Sequence, residues 1–520
     1  MAVPSSYLNP AHYIPILLIL FSCSSEEPQQ DQGAELGQIQ VYATGSEASL
    51  QSFREGMLLL HSFEYVDAAE KFAQAQALDS TCAMAYWGEA MTHNHPLWRE
   101  QATEKAVAIL SRLDTTPESR AKKVTTDLEK DLFKACELLY TGATDKKERD
   151  QLYANFMGEL HQKYPDNHEV GSLYALSLLG AVKEGRDYEE YAKGAVIAES
   201  IIAENPSHPG ALHYLIHSYD DPENAPKALL AANSYAKVAP AASHALHMPS
   251  HIYVAMGMWD DVVSSNIASW EASVNRKEAK HLDNDELGYH ALLWLSYGHL
   301  QRGEYDLAHD CVSTMEKYCH EEPSNRAKFH LMMMKAAYLT ETNEWEDPML
   351  QDTFTYDHAL GLRTTDRYID GLQALRSQDL AAAQDLIDEM KSDRLDSSKE
   401  AEASSAVMCA GRYNRRMATP TEVKRAHVVE LELRALLADA EGNANKAEEF
   451  FKQAIALEEQ TTFQFGPPSI VQPSSELYAN WLMEQERWSE AAARYESVLE
   501  RAPGRKIATE GMTQAVSAGS

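Results

Sequence analysis

The sequence predicts an all-α protein, a solenoid of stacked helical hairpins, on three observations. From about residue 48 onward, apolar residues recur at intervals of three and four, the spacing of amphipathic helices. No segment shows the sustained apolar–polar alternation of a strand. One motif also occurs twice, as ALHYLIHSY at 211–219 and as ALHMPSHIY at 245–253. Its recurrence after 34 residues (213 to 247) indicates a repeat array, in which each hairpin packs on its neighbours.

The composition suits a long array and argues against polyanionic partners. The chain has 520 residues, 44% of them hydrophobic, which is more than one ordinary core accommodates but normal for repeats. Lys plus Arg is 46 and Asp plus Glu is 79, so the formal net charge is −33. A surface this negative repels phosphate backbones and anionic membrane surfaces. We therefore expect no nucleic-acid partner.

The N-terminus has the features of an export signal. An apolar run at 14–21 is too short to cross a bilayer and is followed by a cysteine. The segment LFSC at 20–23 resembles the lipobox of bacterial lipoproteins, which implies a signal peptide over 1–22 and lipidation of Cys23. That resemblance places the protein in the cell envelope, at the outer membrane, with the lipid as its membrane contact. The acidic SSEE at 24–27 resembles a surface-export signal, which would expose the protein at the cell surface.

The rest of the chain divides by composition and periodicity. We expect a disordered acidic tether at 23–47 and a helical array at 48–392, with inserts at 99–150 and 275–288. A linker with a basic island is expected at 393–427, followed by a C-terminal array at 428–520. The basic island either balances neighbouring carboxylates or contacts a carboxylate or sulfate group. It consists of Arg412, Arg415, Arg416, Lys424 and Arg425.

Small and aromatic residues recur at fixed places in the repeats. The clearest sets are Gly56, Ala68, Phe72 and Ala75; Ala435, Ala447, Phe451 and Ala454; and Ala479, Ala491, Tyr495 and Pro503. They match the consensus of tetratricopeptide repeats, in which small residues let two helices approach and an aromatic fills the gap to the next hairpin. The chain therefore resembles a tetratricopeptide-repeat protein, which implies a right-handed superhelix of helix–turn–helix repeats. AMAYWGEAMTHNHPLW at 83–98 and FGPPSIVQPSSEL at 465–477 also resemble large bacterial lipoproteins of this repeat class.

The repeated motif carries a repeated pair of histidines. In the register of tetratricopeptide repeats, one histidine of each pair falls at position 5 and the other at position 9 of the first helix, and two further histidines fall at position 2. The resemblance implies that positions 2, 5 and 9 line the concave groove. The six predicted site residues are His213, His217, His247, His251, His244 and His290.

Histidines in this pattern favour a metal site. Residues four apart share one helix face, and neighbouring helices lie about 8–10 Å apart, so two pairs can bring four imidazoles together. Imidazole suits Zn, Cu, Ni and Fe. A proline at 249 is expected to separate the second pair by kinking its helix. Candidate additional groups are Asp220, Asp221, Asp283, Asp285, His281, and a smaller cluster of His93 and His95 near Trp98.

Two other interpretations of the histidines remain open. They could form a neutral network that binds an organic or peptide ligand, or they could be packing residues copied by duplication. The sequence has no HExxH motif, glycine-rich phosphate loop or GxSxG motif, so nothing identifies catalytic residues. The predicted function is binding of a protein or small ligand in the groove, at a histidine-rich metal centre. The alternatives are a metal-free protein-interaction scaffold and a metal-dependent enzyme of unknown reaction.

Overall fold

The computed structural model describes residues 35–142, 145–348, 354–357, 359–407, 418–463 and 466–519. Nearly all of its regular structure is helical, which confirms the all-α class. The first helices are α1 (Glu47–His61), α2 (Tyr65–Leu78), α3 (Ala83–Met91), α4 (Thr103–Leu113), α5 (Pro117–Ala121), α6 (Asp127–Tyr140), α7 (Lys146–Lys163), α8 (His168–Ala181) and α9 (Tyr188–Glu204). A two-stranded antiparallel ribbon, β1 (Asn94–His95) with β2 (Glu100–Gln101), follows α3.

The central and C-terminal parts continue the helical pattern. The central helices are α10 (Pro209–Tyr219), α11 (Ala225–Val238), α12 (Ser243–His247), α13 (Pro249–Ala255), α14 (Trp259–Lys280), α15 (Tyr289–Arg302), α16 (Tyr305–Glu321) and α17 (Asn325–Thr342), with a 3-10 turn at Asn284–Glu286. The last helices are α18 (Leu360–Arg376), α19 (Leu380–Val407), α20 (Pro420–Ala440), α21 (Ala444–Glu458), α22 (Ser474–Glu484), α23 (Trp488–Arg501) and α24 (Lys506–Ala518). None of the described helices is both long and apolar enough to traverse a bilayer.

The helices stack as hairpins along the chain. Each helix packs mainly on the next one, and the first helices of successive hairpins also pack together, as α8 with α10, α15 with α17 and α22 with α24. Phe72 shows how the consensus residues work. A Cβ added to Gly56 or Gly88 would lie 2.8 or 2.4 Å from the Phe72 ring, so only glycine lets this buried aromatic fill the space between hairpins. The predicted α-solenoid is therefore confirmed.

The segment before α1 is ordered where the structure describes it. The carbonyl oxygen of Glu35 accepts a hydrogen bond from the Ala241 amide at 3.2 Å, and the Gln38 amide donates to the Ser207 carbonyl at 2.9 Å. Leu36 is buried between these contacts. Within the predicted tether, these backbone groups of Glu35 and Gln38 thus bond to the loops before α12 and α10. Residues 1–34, which include Cys23 and the predicted signal peptide, lie outside the described residues.

The predicted inserts and linker contain more helix than a connection requires. Residues 99–150 include α4 to α6, which pack beside α3, and the 275–288 insertion begins as the last two turns of α14. Arg276 and Lys280 on those turns bind Asp67 at 2.6 and 2.8 Å, which ties α14 to α2.

At the linker, α19 runs to Val407, and α20 begins after a Thr419 capping box. The three arginines between these helices lie outside the described residues.

The C-terminal repeats reach back to α15, the helix that carries His290. The Trp259 indole donates to the Gly504 carbonyl at 2.8 Å. A turn before α22 contacts Trp294 on α15: Gly466 has φ +91°, and a Cβ there would lie 2.3 Å from the indole ring. Glycine is thus required at 466 both by its backbone angle and by the close approach. These contacts enclose one side of the histidine cluster.

Candidate functional site

The six predicted histidines lie together. His213 and His217 are on α10, and the remaining four come from the next two hairpins: His244 and His247 on α12, His251 on α13 and His290 on α15. The ring centroids of neighbouring histidines are 4.7–5.9 Å apart in the pairs His213/His217, His213/His244, His217/His251, His244/His247, His247/His251 and His247/His290. The structure therefore brings all six together, as the repeat register predicts.

Local sequence explains how α10 presents its pair. Pro209 occupies the first turn, where its missing N–H costs nothing, and the ring of His208 caps the helix by accepting from the Ala211 amide at 3.1 Å. With the start of α10 fixed in this way, His213 and His217 fall on one face.

The proline of the second motif does not separate its histidines. Helix α12 ends at His247 and α13 begins at Pro249, but Met248 between them keeps helical angles of φ −54° and ψ −35°. The His251 amide donates to the Met248 carbonyl at 3.1 Å. The expected separation is therefore wrong: Pro249 starts a new helical segment nearly in line, and the rings of His247 and His251 stay 5.2 Å apart.

Ligand nitrogens of the six histidines form two groups of three, and a further group joins His217 and His251 to Asp220. In the first triad, His213, His217 and His244 each offer one nitrogen within 4.8 Å of the others. In the second triad, His247, His251 and His290 do the same.

The Nδ1 atoms of the motif histidines are each held by an acceptor. His213 donates to the His61 carbonyl at 2.7 Å, and His247 donates to Asn266 Oδ1 at 2.7 Å. The Asn266 amide nitrogen in turn donates to the Val262 carbonyl at 2.8 Å, which fixes the orientation of that side chain. Because a neutral imidazole protonated at Nδ1 keeps its lone pair on Nε2, these bonds leave Nε2 as the ligand atom.

One carboxylate orients a ring of each triad. Oδ2 of Asp220 accepts from Nδ1 of His251 at 3.0 Å and of His217 at 3.3 Å. Burial alone would raise the pKa of Asp220, but the Arg186 guanidinium and these two hydrogen bonds outweigh burial and hold its pKa far below the usual range. Asp220 is thus a buried anion that positions histidines, a role common around metal ligands.

Most of these rings are buried, and burial favours the neutral form of five of them. His213 is fully buried, and His247 and His251 are each only 2% exposed. Burial, followed by the neighbouring histidines, lowers the pKa of His213, His244 and His290 well below the ordinary value. For His247 the same causes lower the pKa to about 3. Burial lowers the pKa of His251 to about 4. Neutral imidazole is the form that binds metals.

These lowered pKa values predict acid sensitivity of the metal-free protein. A histidine that stays neutral when folded but titrates near 6.5 when unfolded leaves stability unchanged above pH 7 and reduces it as the pH falls from 6.5 toward 4. The loss is about 1.4 kcal/mol per pH unit, or about 2 kcal/mol at pH 5, for each such ring. Urea unfolding with a chelator at pH 7.5 and pH 5.0 measures it. A His247→Gln/His251→Gln variant should lose less stability than wild type over this interval, and an equal loss in both would contradict the assignment.

Aromatic side chains enclose the cluster. The ring of Phe63 lies 4.3 Å from that of His213, and the ring of Trp294 lies 4.6 Å from that of His251 and 4.8 Å from that of His247, between centroids. Phe63 has φ +57°, which is costly for a bulky residue. That strained turn between α1 and α2 points the ring at the histidines. Trp294 could have been found from the sequence, since it lies four residues after His290.

The other predicted groups lie apart from the two triads. Asp221 contacts Arg186 at 3.3 Å and caps the turn before α11, while the Asp285 carboxylate accepts from Ser324. Asp283 and His281 are exposed on the loop after α14. The prediction that these carboxylates and His281 join the site is therefore not supported by their positions. Aromatic rings separate His95 from the triads: Trp98 lies 5.8 Å from His95 and 6.0 Å from His244 between centroids, and Tyr65 lies between His95 and Phe63.

A second buried histidine cluster lies beside the first and was not predicted. Glu169 accepts from Nε2 of His61 at 2.7 Å and of His208 at 3.1 Å. The remaining nitrogens are also bonded: Nδ1 of His61 to the Tyr214 hydroxyl at 2.9 Å, and Nδ1 of His208 to the Ala211 amide. Because every ring nitrogen has a partner, this cluster is a complete hydrogen-bond network that supports the His61 carbonyl facing His213.

No protein-family model and no curated protein sequence matches this chain. It is similar to three solved helical-repeat structures. Yeast Tom70 is 12% identical, with 91% of this chain and 95% of that one covered and a TM-score of 0.33. Cut9 in the APC/C Cut9–Hcn1 hetero-tetramer is 12% identical, with 90% and 76% covered and a TM-score of 0.37. Human IFIT1, solved as a dimer with m7Gppp-AAAA, is 12% identical, with 94% and 87% covered and a TM-score of 0.33. Likeness at this level carries no argument about activity, and the chain is a tetratricopeptide-type α-solenoid by its own helical hairpins.

Proposed function

We propose that this solenoid binds a transition metal, Zn, Cu, Ni or Fe, at the six histidines inside its groove. One observation carries the proposal. Among the residues that the structure describes, the buried Nε2 atoms of His213, His244 and His247 have no hydrogen-bond partner. Two of these rings have Nδ1 held by an acceptor, so Nε2 carries a lone pair directed at other imidazoles.

A packing role explains these nitrogens poorly. A buried polar atom without a partner costs about 1–3 kcal/mol, and three such atoms at one place would be a large fraction of the stability of an ordinary domain. In the neighbouring cluster at Glu169, by contrast, both ring nitrogens of His61 and of His208 are hydrogen-bonded. A bound metal ion would satisfy the Nε2 atoms, and the net charge of −33 favours the arrival of cations.

Metal analysis of tag-free protein tests this proposal directly. We expect wild-type protein to retain metal after desalting, whereas His247→Ala/His251→Ala should lose the metal held by the second triad, since two of its three ligands are removed. The matched control is His309→Ala/His320→Ala, which removes two histidines with exposed side chains on α16. Wild-type protein that holds no metal after loading with Zn, Cu, Ni or Fe would end the proposal. The remaining interpretation would then be a metal-free interaction scaffold. In that case His247→Ala/His251→Ala should not change the binding of its protein partner.

We also propose, from the LFSC segment, that the protein is a cell-envelope lipoprotein anchored through Cys23. Cells grown with a labelled fatty acid should yield labelled wild-type protein in the membrane fraction, because two or three acyl chains hold a protein at a bilayer. Cys23→Ala should be unlabelled and should leave that fraction. A variant that still carries label would contradict the assignment, and Cys82→Ala serves as the control because its thiol is buried.

A further inference from the structure

We infer that the six histidines hold two metal ions, one in each triad, and not a single ion. This inference rests on the proposed function and specifies its stoichiometry. Six nitrogens exceed the four positions of the usual histidine-bound zinc or copper site. The first and second triads each supply three, which leaves one open position per ion.

The two triads are built by the same rule. The first combines the His213/His217 pair of α10 with His244, which begins the next hairpin. The second combines the His247/His251 pair with His290, which begins the hairpin after that. The repeat symmetry therefore relates the two triads. An arrangement that can bind an ion in the first triad recurs in the second.

The spacing suits an ion in each triad. Bonds of about 2.0–2.1 Å in a tetrahedral site require nitrogens about 3.3 Å apart. Within each triad the nitrogens already lie within 4.8 Å of one another, so movements of about 1 Å suffice. The triads also touch, because the His217 and His251 centroids are 5.1 Å apart and those of His244 and His247 are 5.9 Å apart. Two bound ions would be close neighbours.

The surrounding charge constrains what fills the open positions. Asp220, the carboxylate that hydrogen-bonds rings of both triads, is paired with Arg186. Arg186 also contacts Asp221, so these three side chains carry one net negative charge, and two divalent ions would leave about three charges uncompensated in a buried site, which is costly. Water at the open positions can lower this charge by losing a proton to solvent, since metal-bound water has a pKa near 7. Monovalent copper would need less compensation.

Ion counting by native mass spectrometry tests the inference. Metal-free protein is titrated with Zn²⁺ and desalted; wild type should hold two ions per chain, and His244→Gln and His290→Gln should each hold one. Both positions begin helices and are partly exposed, so the variants should fold, which circular dichroism checks. The His309→Ala/His320→Ala control should keep two. One ion in wild type overturns the two-ion assignment but leaves the proposed metal site standing, whereas no ion overturns both.

A second readout detects the proximity of the two ions instead of counting them. Protein loaded with Cu²⁺ should give an electron paramagnetic resonance spectrum of two coupled spins, with reduced intensity or resolved dipolar splitting. His290→Gln should restore the spectrum of an isolated Cu²⁺ ion with nitrogen hyperfine structure. An isolated-ion spectrum in fully loaded wild type would contradict two neighbouring ions.

Discussion

Asp220→Asn should weaken metal binding at both triads at once, by roughly 10- to 100-fold, the usual effect of removing an orienting partner of a metal-binding histidine. The side chain of Asp220 accepts from His217 in the first triad and from His251 in the second. An amide oxygen is a weaker acceptor than a carboxylate, and the substitution removes the anion nearest to the cations. Competition with a chelator of known affinity measures the change.

Two neighbouring substitutions make this prediction specific. Asp221→Asn changes the adjacent carboxylate, which also contacts Arg186 but bonds to a turn and not to the histidines, so metal affinity should stay near that of wild type. Asn266→Ala removes the acceptor of His247 alone and should weaken only one of the two ions. Equal losses from Asp220→Asn and Asp221→Asn would indicate that the effect comes from Arg186 and would contradict the orienting role.

Arg505→Met should destabilise the protein by about 3–5 kcal/mol, the cost of leaving buried partner charges unpaired. The Arg505 guanidinium is fully buried and bonds to Glu476 at 2.6 and 2.7 Å, to Glu341 at 2.7 Å and to the Tyr297 hydroxyl at 2.7 Å. These partners lie on α22, α17 and α15, so the loss would loosen the C-terminal repeats from the helix that carries His290. Urea unfolding followed by circular dichroism measures the change.

The same variant links stability to the site. If the C-terminal repeats hold α15 in place, Arg505→Met should also weaken binding in the second triad more than in the first. Arg501→Met is the matched control, because Arg501 is exposed four residues earlier and should change stability by less than about 0.5 kcal/mol. A loss below 1 kcal/mol in Arg505→Met would show that Glu341 and Glu476 adapt, for example by taking up protons.

Much of the histidine cluster could be predicted because repeats convert sequence spacing into position. His213 and His247 occupy equivalent places because the repeat length is constant, and the same register located His244 and His290 correctly. Features outside that register could not be predicted in the same way. Composition gave no sign that Glu35 and Gln38 form backbone hydrogen bonds to distant loops. Pro249 was expected to kink a helix, but it begins one, where its missing N–H is harmless.

The sequence by itself determined the hairpins, their repeat length and the histidine-bearing face. Each repeat packs mainly on its neighbours, so the same short pattern of residues specifies the packing in every repeat. The tertiary structure alone decided which nitrogen of each ring faces the centre. For the four motif histidines, that choice depends on the His61 carbonyl, Asn266 and Asp220, while Phe63 and Trp294 pack against the rings. The carbonyl of His61 lies 152 positions from His213 along the chain, and no local pattern encodes such a pairing. The proposed metal site would depend on that long-range arrangement, because a hydrogen bond to one ring nitrogen fixes the tautomer and the orientation of the other.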